Sequence, residues 1–235
     1  MNNPEVDLKD TLSFEKENIE KLNTITGFEK EKASFYSVIC RIVDIVGSLM
    51  GLIILSPILL LISLCIKISD GGSVFYKHKR IGRYGKEFSL IKFRSMKINA
   101  DDLENVLTEE QLELYRTEFK IEDDPRITKI GRVLRKTSLD ELPQMVNILK
   151  GDLSIIGPRP IIEEELENYG DDIKRFLSAK PGLTGYWQAY ARNDATYATG
   201  ERQKMELYYI ENRSLWLDIK IFFKTFSSIF KKTGN

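Results

Sequence analysis

The pattern of apolar and polar positions divides the chain near its start. Residues 1 to about 37 are polar and mixed in charge; Leu8, Leu12, Phe14, Ile19, Leu22 and Ile25 are spaced for a short surface helix but are too few for a core. They read as an extension. From Ile45 to Ile66 runs IVGSLMGLIILSPILLLISLCI, uncharged and bounded by Asp44 and Lys67. Roughly 22 residues at about 1.5 Å each make about 33 Å of helix, enough for a hydrocarbon core of about 30 Å. Pro57 sits at its centre, lacks an N–H and clashes with the Ile53 carbonyl. Ser56 offers a hydroxyl to nearby carbonyls, so Ser56 and Pro57 mark the predicted break.

Lys30, Lys32 and Arg41 precede this run, diluted by Glu29 and Glu31, and Lys67, Lys77, Lys79, Arg80 and Arg83 follow it. A spanning helix carries its basic excess on one side. Basic residues on both sides suit a broken helix that enters and leaves by the same face. Three readings stand: a kinked spanning helix, a re-entrant hairpin and a buried core helix. The first two make a membrane protein.

After Lys67 the pattern shortens. Asp70, Gly71 and Gly72 predict a turn, Val74 to Tyr76 a strand, Gly82 to Gly85 a hairpin turn, and Phe88 to Phe93 the returning strand. Asp101 to Lys120 is helical by pattern, with Leu103, Val106, Leu107, Leu114 and Phe119 as its stripe, and Asp123, Asp124 and Pro125 end it. Ile127, Ile130, Val133 and Leu134 fall at helical spacing among Lys129, Arg132, Arg135 and Lys136. Leu142, Met145, Val146 and Leu149 give the next helix an apolar face, stopped by Gly151.

Leu153, Ile155 and Ile156 predict a buried strand before Gly157, Pro158, Arg159 and Pro160; two prolines hold Arg159 extended, ready to meet an anion. An acidic helix from Glu163 toward Tyr169 and a short one near Phe176 and Leu177 follow. Pro181 to Gly185 open a loop rich in rings (Tyr186, Trp187, Tyr190, Tyr197), which either stack on a base or pack the loop itself. Gly200 precedes a helix through Glu206, Tyr208 and Tyr209. In the tail, Leu215, Ile219, Phe222, Phe226, Ile229 and Phe230 form a stripe beside Trp216, with Lys220, Lys224, Lys231 and Lys232. That describes a helix lying in the membrane interface; packing on the domain is the alternative.

The 235 residues suffice for one substantial domain, here 38–235, with a membrane helix at 42–68 and an amphipathic helix at 215–232. Lys plus Arg equals Asp plus Glu at 35 each, so no basic excess points to nucleic acid. Cys40 and Cys65 make no disulfide framework and suit a reducing, cytosolic setting. The apolar run starts too late and is too long for a cleavable signal, so it is expected to be retained. Neither common nucleotide fingerprint is present. His78 is the only histidine, against a zinc site or a histidine triad. Gly47 and Gly51 form one G-x-x-x-G pair, suited to helix association.

The candidate chemistry centres on Asp140 and Glu141. Ser138 with Glu141 matches a capping box; alternatively Asp140 caps the helix and places Pro143 comfortably in its first turn. Both registers put Asp140 at a positive helix end. Neighbours on a helix point about 100° apart, a poor copy of a glycosidase pair, and first-turn acids are ordinary helix chemistry. The surrounding Arg132, Arg135, Lys136 and Arg159 suggest more: a phosphorylated substrate would neutralise them, and an ionised carboxylate there can act as nucleophile or divalent-metal ligand. Between and after the predicted strands, Lys77, His78, Lys79, Arg80, Lys92, Arg94 and Lys97 suit either lipid headgroups or such a substrate.

From about Ser37 onward the chain resembles the bacterial sugar transferase family, the monotopic polyprenyl-phosphate phosphoglycosyl transferases. The resemblance is carried by the apolar helix with Ser56 and Pro57, by FSLIKFRSM at Phe88 to Met96, by DPRITKIGRVLRKTSLDELPQMVNILKGDLSIIGPRP at Asp124 to Pro160, and by KPGLTGYWQ at Lys180 to Gln188. It implies an α/β membrane-associated fold with a re-entrant broken helix, at the cytoplasmic face of the bacterial inner membrane. It implies transfer of a sugar 1-phosphate from a UDP-sugar to undecaprenyl phosphate with release of UMP, initiating exopolysaccharide, capsule or related glycan assembly. Asp140 matches the nucleophile and Glu141 its dyad partner. Lys92, Arg94, Arg135, Arg159 and Arg192 are the candidate phosphate or substrate contacts. Mg²⁺ is the implied cofactor, with Asp140, Glu141 and Glu206 as candidate ligands; Glu206 stands where many members carry Asp. Ala191, Arg192 and Asn193 stand where Gly-Arg-Asn is common, which leaves donor choice open. Membrane lipids, downstream glycosyltransferases and a second copy of the chain are candidate partners. The competing readings are a non-catalytic membrane scaffold of a polysaccharide assembly complex and an integral glycosyltransferase that would release UDP.

Overall fold

The computed structural model describes residues 34–100, 102–118, 121, 124–191 and 194–230. The predicted extension before Ser34, the Arg192–Asn193 pair and the tail lysines 231 and 232 lie outside the described residues.

Helix α1 spans Phe35–Asp70. Ser34 and Ser37 cap its start reciprocally, and Gly71, at φ 72°, ends it in the left-handed conformation a side chain would resist. The predicted break at Ser56 and Pro57 does not interrupt it: the backbone stays helical through Pro57. The Ile53 carbonyl, which would have received the missing N–H, accepts the Ser56 hydroxyl at 2.8 Å instead. This is the one helix among the described residues long and apolar enough to cross a membrane.

One face of α1 lies on the rest of the chain. Near its start Tyr36 Oη donates to Asp218, and Arg41 donates to the carbonyls of Ile148 and Leu149. Asp44 is buried and accepts from Ser154 Oγ and the Ile155 amide at 2.8–2.9 Å. Gly47 and Gly51 leave room for the side chains of Ile155 and Met145, which a Cβ would meet at 2.9 Å or less. The G-x-x-x-G pair thus serves packing within the chain. Further along, Ile62 and Ile66 pack with Phe93 and Leu134. The opposite face leaves Ile42, Val46, Leu49, Ile53, Leu60 and Leu64 exposed.

After α1 come strands β1 (Phe75–Ile81) and β2 (Glu87–Phe93), paired antiparallel about the predicted turn, with β1 continuing past the predicted Val74–Tyr76 strand to Ile81. The segment expected to form one helix from Asp101 to Lys120 forms two, α2 (Leu103–Val106) and α3 (Glu109–Glu118). Leu107 turns extended, and Thr108 and Gln111 exchange hydrogen bonds in a capping box that restarts the helix. Helix α4 (Lys129–Lys136) follows, capped by Thr128. A 3₁₀ segment, Leu139–Gln144, leads into α5 (Met145–Lys150), which Gly151 stops at φ 92°.

Strand β3 (Ser154–Ile156) pairs in parallel with β4 (Gly182–Thr184). Between them the acidic stretch is 3₁₀ from Glu163 to Asp172, turning at Gly170 into α6 (Ile173–Leu177). The stretch read as an aromatic loop holds β4 and α7 (Tyr186–Tyr190). Helices α8 (Glu201–Asn212) and α9 (Leu215–Phe230) complete the described chain. Helix α9 packs on the domain, with Ile221 fully buried in the main core, and leaves Trp216, Phe223 and Phe226 exposed. The fold is a long apolar helix carrying a small mixed α/β domain.

Candidate active site

Strand alternation and one tight turn build the site. On β1, Lys77 and Lys79 face solvent while His78 and Arg80 turn inward, and on β2 Lys92 is half-buried between buried Leu90 and Phe93 and intermediate Ile91. The 3₁₀ segment packs along β2. It begins after Ser138, which stands at φ 56°, ψ 18°, a left-handed conformation unusual for a residue with a Cβ. Its amide is bonded to the Arg135 carbonyl, so Ser138 terminates α4 and places no side-chain hydrogen bond on the next segment. The predicted capping box is therefore absent, and Asp140 is the second residue of the turn instead of its cap. Pro143 is accommodated because a 3₁₀ turn this short asks little of its missing N–H.

Asp140 is buried at 8% exposure, and its carboxyl is pushed up to about 6. Loss of hydration is the largest cause; Glu141 also raises it, while Lys92 and Arg135 pull the other way. Glu141 is half-buried and its Oε1 receives Lys92 Nζ at 3.0 Å. Arg135 is oriented from behind, its Nε donating to Ser95 Oγ at 2.9 Å. Gly131, one turn earlier, permits that approach: a Cβ there would overlap the Ser95 carbonyl. Asp140 thus sits within the field of two cations without a side-chain hydrogen bond from either, among the described residues.

Beyond Lys92 the charge continues inward. His78 is driven down to about 4 by burial and by Arg80, Lys92 and Arg159, so it is neutral at pH 7. Arg80 Nη2 lies 3.2 Å from His78 Nδ1, and Arg80 Nη1 reaches the Pro160 carbonyl at 3.1 Å and Glu165 at 3.4 Å. Glu165 Oε1 meets Arg202 at 3.5 Å. The Arg202 guanidinium lies between the rings of Trp187 and Tyr197, at 4.2 and 3.9 Å from their centroids. Those two rings pack a buried arginine, which removes them from base stacking. Tyr186, Tyr190 and Tyr208 form a separate ring cluster.

Of the predicted residues, Lys92, Arg135, Asp140 and Glu141 come together, and Arg159 joins them through the His78 neighbourhood. Arg94 does not: it lies against Gly72 at the end of α1 and borders a hollow with Ile66, Ser69, Thr128 and Ile130. Glu206 does not join the Asp140–Glu141 pair either. It is 0% exposed, and its Oε1 accepts the Arg159 amide at 3.2 Å. Among the described residues no three acidic, histidine or cysteine side chains converge as a metal set. The pair itself still fits Mg²⁺, which takes one or two carboxylates together with substrate phosphates. His78, Arg80, Glu165 and Arg202 were not singled out as site residues; the period-2 alternation of β1 was the available signal for the first two.

A long apolar helix carries a small α/β domain in which a buried carboxylate lies in the field of two cations. The sequence profile described as bacterial sugar transferase matches residues 35–232, and the chain belongs to that family. It is 48% identical over 198 residues to the undecaprenyl-phosphate galactose phosphotransferase of Salmonella typhimurium, covering 83% of this chain and 41% of that protein. It is 46% identical over 201 residues to the exopolysaccharide production protein ExoY of Sinorhizobium fredii, covering 83% and 87%. It is 39% identical over 191 residues to the UDP-glucose:undecaprenyl-phosphate glucose-1-phosphate transferase of Escherichia coli, covering 79% and 39%. The chain therefore spans most of ExoY and under half of the other two.

Proposed function

We propose that this chain transfers a hexose 1-phosphate from a UDP-sugar to undecaprenyl phosphate at a membrane surface. Family membership and the activities named for the galactose and glucose relatives support this reading. One observation in the structure carries the chemistry: the Asp140 carboxylate is buried in the field of Lys92 and Arg135 yet is not consumed by a salt bridge. An Asp140 oxygen attacks the β-phosphorus of the donor. The bond from that phosphorus to the bridging oxygen breaks, and UMP leaves with the bridging oxygen. The sugar 1-phosphate is then an acyl phosphate on Asp140. An oxygen of undecaprenyl phosphate attacks the same phosphorus and returns the carboxylate.

Lys92, Arg135 and Arg159 offset the phosphoryl charge in this scheme, and burial strengthens their effect. Asp140 and Glu141 are the residues that would hold Mg²⁺ with the substrate phosphates. When bound, the ion neutralises phosphoryl oxygens. Lys92 orients Glu141 through their 3.0 Å contact. A scaffold role would leave this buried, partly neutralised carboxylate without a use.

A re-entrant placement of α1 belongs to the same proposal. At about 1.5 Å per residue the helix is about 54 Å long, and a spanning segment would carry one end about 30 Å from the face holding the other. Both halves of α1 instead contact the same domain, Asp44 on Ser154 and Ile66 beside Phe93 and Leu134. In this reading the exposed faces of α1 and α9 enter the cytoplasmic leaflet. Ser34→Cys in a chain lacking Cys40 and Cys65 should stay unlabelled by an impermeant maleimide outside intact cells. Labelling there would require a spanning helix.

The activity is tested by incubating the protein with undecaprenyl phosphate, Mg²⁺ and a panel including UDP-galactose and UDP-glucose. UMP release with formation of a lipid diphosphate sugar is expected. Release of UDP would replace this mechanism with direct glycosyl transfer, and no turnover across the panel would return the scaffold reading.

A further inference from the structure

Two prolines leave the loop around Arg159 short of its own hydrogen-bond donors, and other parts of the fold tie it down. The Pro158 carbonyl accepts the Gly182 amide at 2.8 Å. The Arg159 amide goes to Glu206, the Pro160 carbonyl to Arg80 and the Ile161 carbonyl to the Ile81 amide. The Ile162 amide goes to Glu165 at 3.0 Å. Five successive residues are held, three of them by charged side chains with under 10% exposure. Those side chains are linked in turn: Glu165 bridges Arg80 and Arg202, and Arg202 is fixed between Trp187 and Tyr197.

Glu206 is unsuited to a divalent cation. One oxygen holds the Arg159 amide, the group is closed to solvent, and Arg202 and Arg159 already supply positive charge around it. A second oxygen, Oε2, is buried without a protein partner among the described residues. A small group such as water fits that description better than an ion needing several open oxygen positions. Arg159 Nε is likewise buried without a protein partner, a donor available to a bound oxygen.

We propose that Glu206, backed by Arg202, Glu165 and Arg80, is a positioning residue that fixes the Arg159 loop for the donor phosphates, and is not a ligand of the divalent cation. This rests on the reading of Arg159 as a phosphate contact. The physical basis is preorganisation: a cation whose backbone is fixed before the substrate arrives loses less ordering entropy on binding. Such a device affects binding of the donor more than the covalent step on Asp140.

The test compares Glu206→Gln, Glu206→Ala, Glu165→Gln and Arg159→Gln in the full chain, measuring donor KM, kcat and the Mg²⁺ concentration for half-maximal rate. Gln at 206 keeps an acceptor for the Arg159 amide, so donor KM should stay within about threefold of wild type; Ala removes it and should raise KM about tenfold, with a smaller change in kcat. Glu165→Gln should raise KM a few-fold and guards against an Ala variant that fails to fold. The Mg²⁺ requirement should be unchanged in all three. A tenfold rise in Mg²⁺ requirement in Glu206→Gln would overturn the proposal in favour of a metal ligand. Unchanged donor KM in Glu206→Ala and Glu165→Gln, beside a raised KM in Arg159→Gln, would overturn the positioning role alone. Unchanged KM in Arg159→Gln would remove the phosphate contact on which it rests.

Discussion

Asp140 stands in a lightly bonded turn behind a strained serine, whereas Arg159 stands in a loop tied at five successive residues. The proposed function assigns both to the donor phosphates. In the proposed reaction the carboxylate forms a bond to phosphorus and later gives it up; in the structure Lys92 and Arg135 act on it from a distance, and no ion pair engages it among the described residues. The proposed phosphate contact at Arg159 only has to be in place, and buried acids and an arginine hold the backbone of its loop. The buried chain Arg80–Glu165–Arg202 lies behind the Arg159 loop, whereas on the other side the buried pair Asp124–Arg126 stands behind Arg135 and leaves Asp140 itself outside any ion pair among the described residues.

Replacing Asp140 by Asn should have the largest effect on activity and the opposite effect on stability. The carboxamide cannot form the acyl phosphate, so turnover and donor-dependent covalent labelling should fall by at least about 10³-fold. The Asp140 carboxyl titrates near 6 in the folded chain, above the ordinary 3.8. Its stabilising contribution is therefore complete below about 3.8 and is lost as pH rises through 6. At pH 7.5 the Asn variant should be more stable than wild type by about 1–3 kcal/mol, read by denaturant unfolding. A covalent adduct persisting in this variant would move the nucleophile elsewhere.

On the binding side the expectation reverses. Arg202→Ala removes a cation from between two rings and leaves Glu165 with one fewer partner, which should cost about 3–5 kcal/mol. Lys92→Met removes a partner from a pair about a quarter exposed on each side and should cost about 1 kcal/mol or less. Similar losses for the two variants would erase the contrast between the regions.

How much of this was legible in the sequence follows the range of the interactions. The hairpin, α4 with Arg135, the stop at Gly151 and Asp140 in a first turn are set by local patterning, and they appear where the residues predict them. The capping box at Ser138 was misread because the same serine also ends the preceding helix, and termination decides its backbone. The one long helix over 101–120 failed at Leu107 and Thr108, where a Thr-x-x-Gln box restarts the chain. Glu206 with Arg159, and Asp44 with Ser154, join residues 47 and 110 positions apart. No periodicity carries such pairs. For the same reason nothing local to Arg80 foretells that it meets Pro160 and Glu165.

The electrostatic setting of Asp140 can be resolved by two substitutions of opposite sign. Lys92 lowers the Asp140 pKa and Glu141 raises it. The nucleophile acts ionised, so kcat/KM should rise with pH along an acid limb centred near 6 in the wild type. Lys92→Met should move that limb to higher pH and Glu141→Gln to lower pH. Movement of both limbs in one direction would mean that the limb reports another group.

The smallest effect expected is at Ser138, and it asks whether the turn before Asp140 is strained for a purpose. A left-handed serine costs about 1–2 kcal/mol that glycine does not pay, while glycine loses part of that advantage through its freer unfolded chain. Ser138→Gly should therefore stabilise the protein by about 0.5–1 kcal/mol. The bonds that set the turn are made by backbone groups, the Ser138 amide to Arg135 and the Glu141 amide to the Ser138 carbonyl. Glycine keeps both, so activity should stay within about threefold of wild type. A gain in stability accompanied by a tenfold loss of turnover would show that the serine restrains Asp140 as the buried acids restrain Arg159. The two halves of the site would then be prepared in the same way.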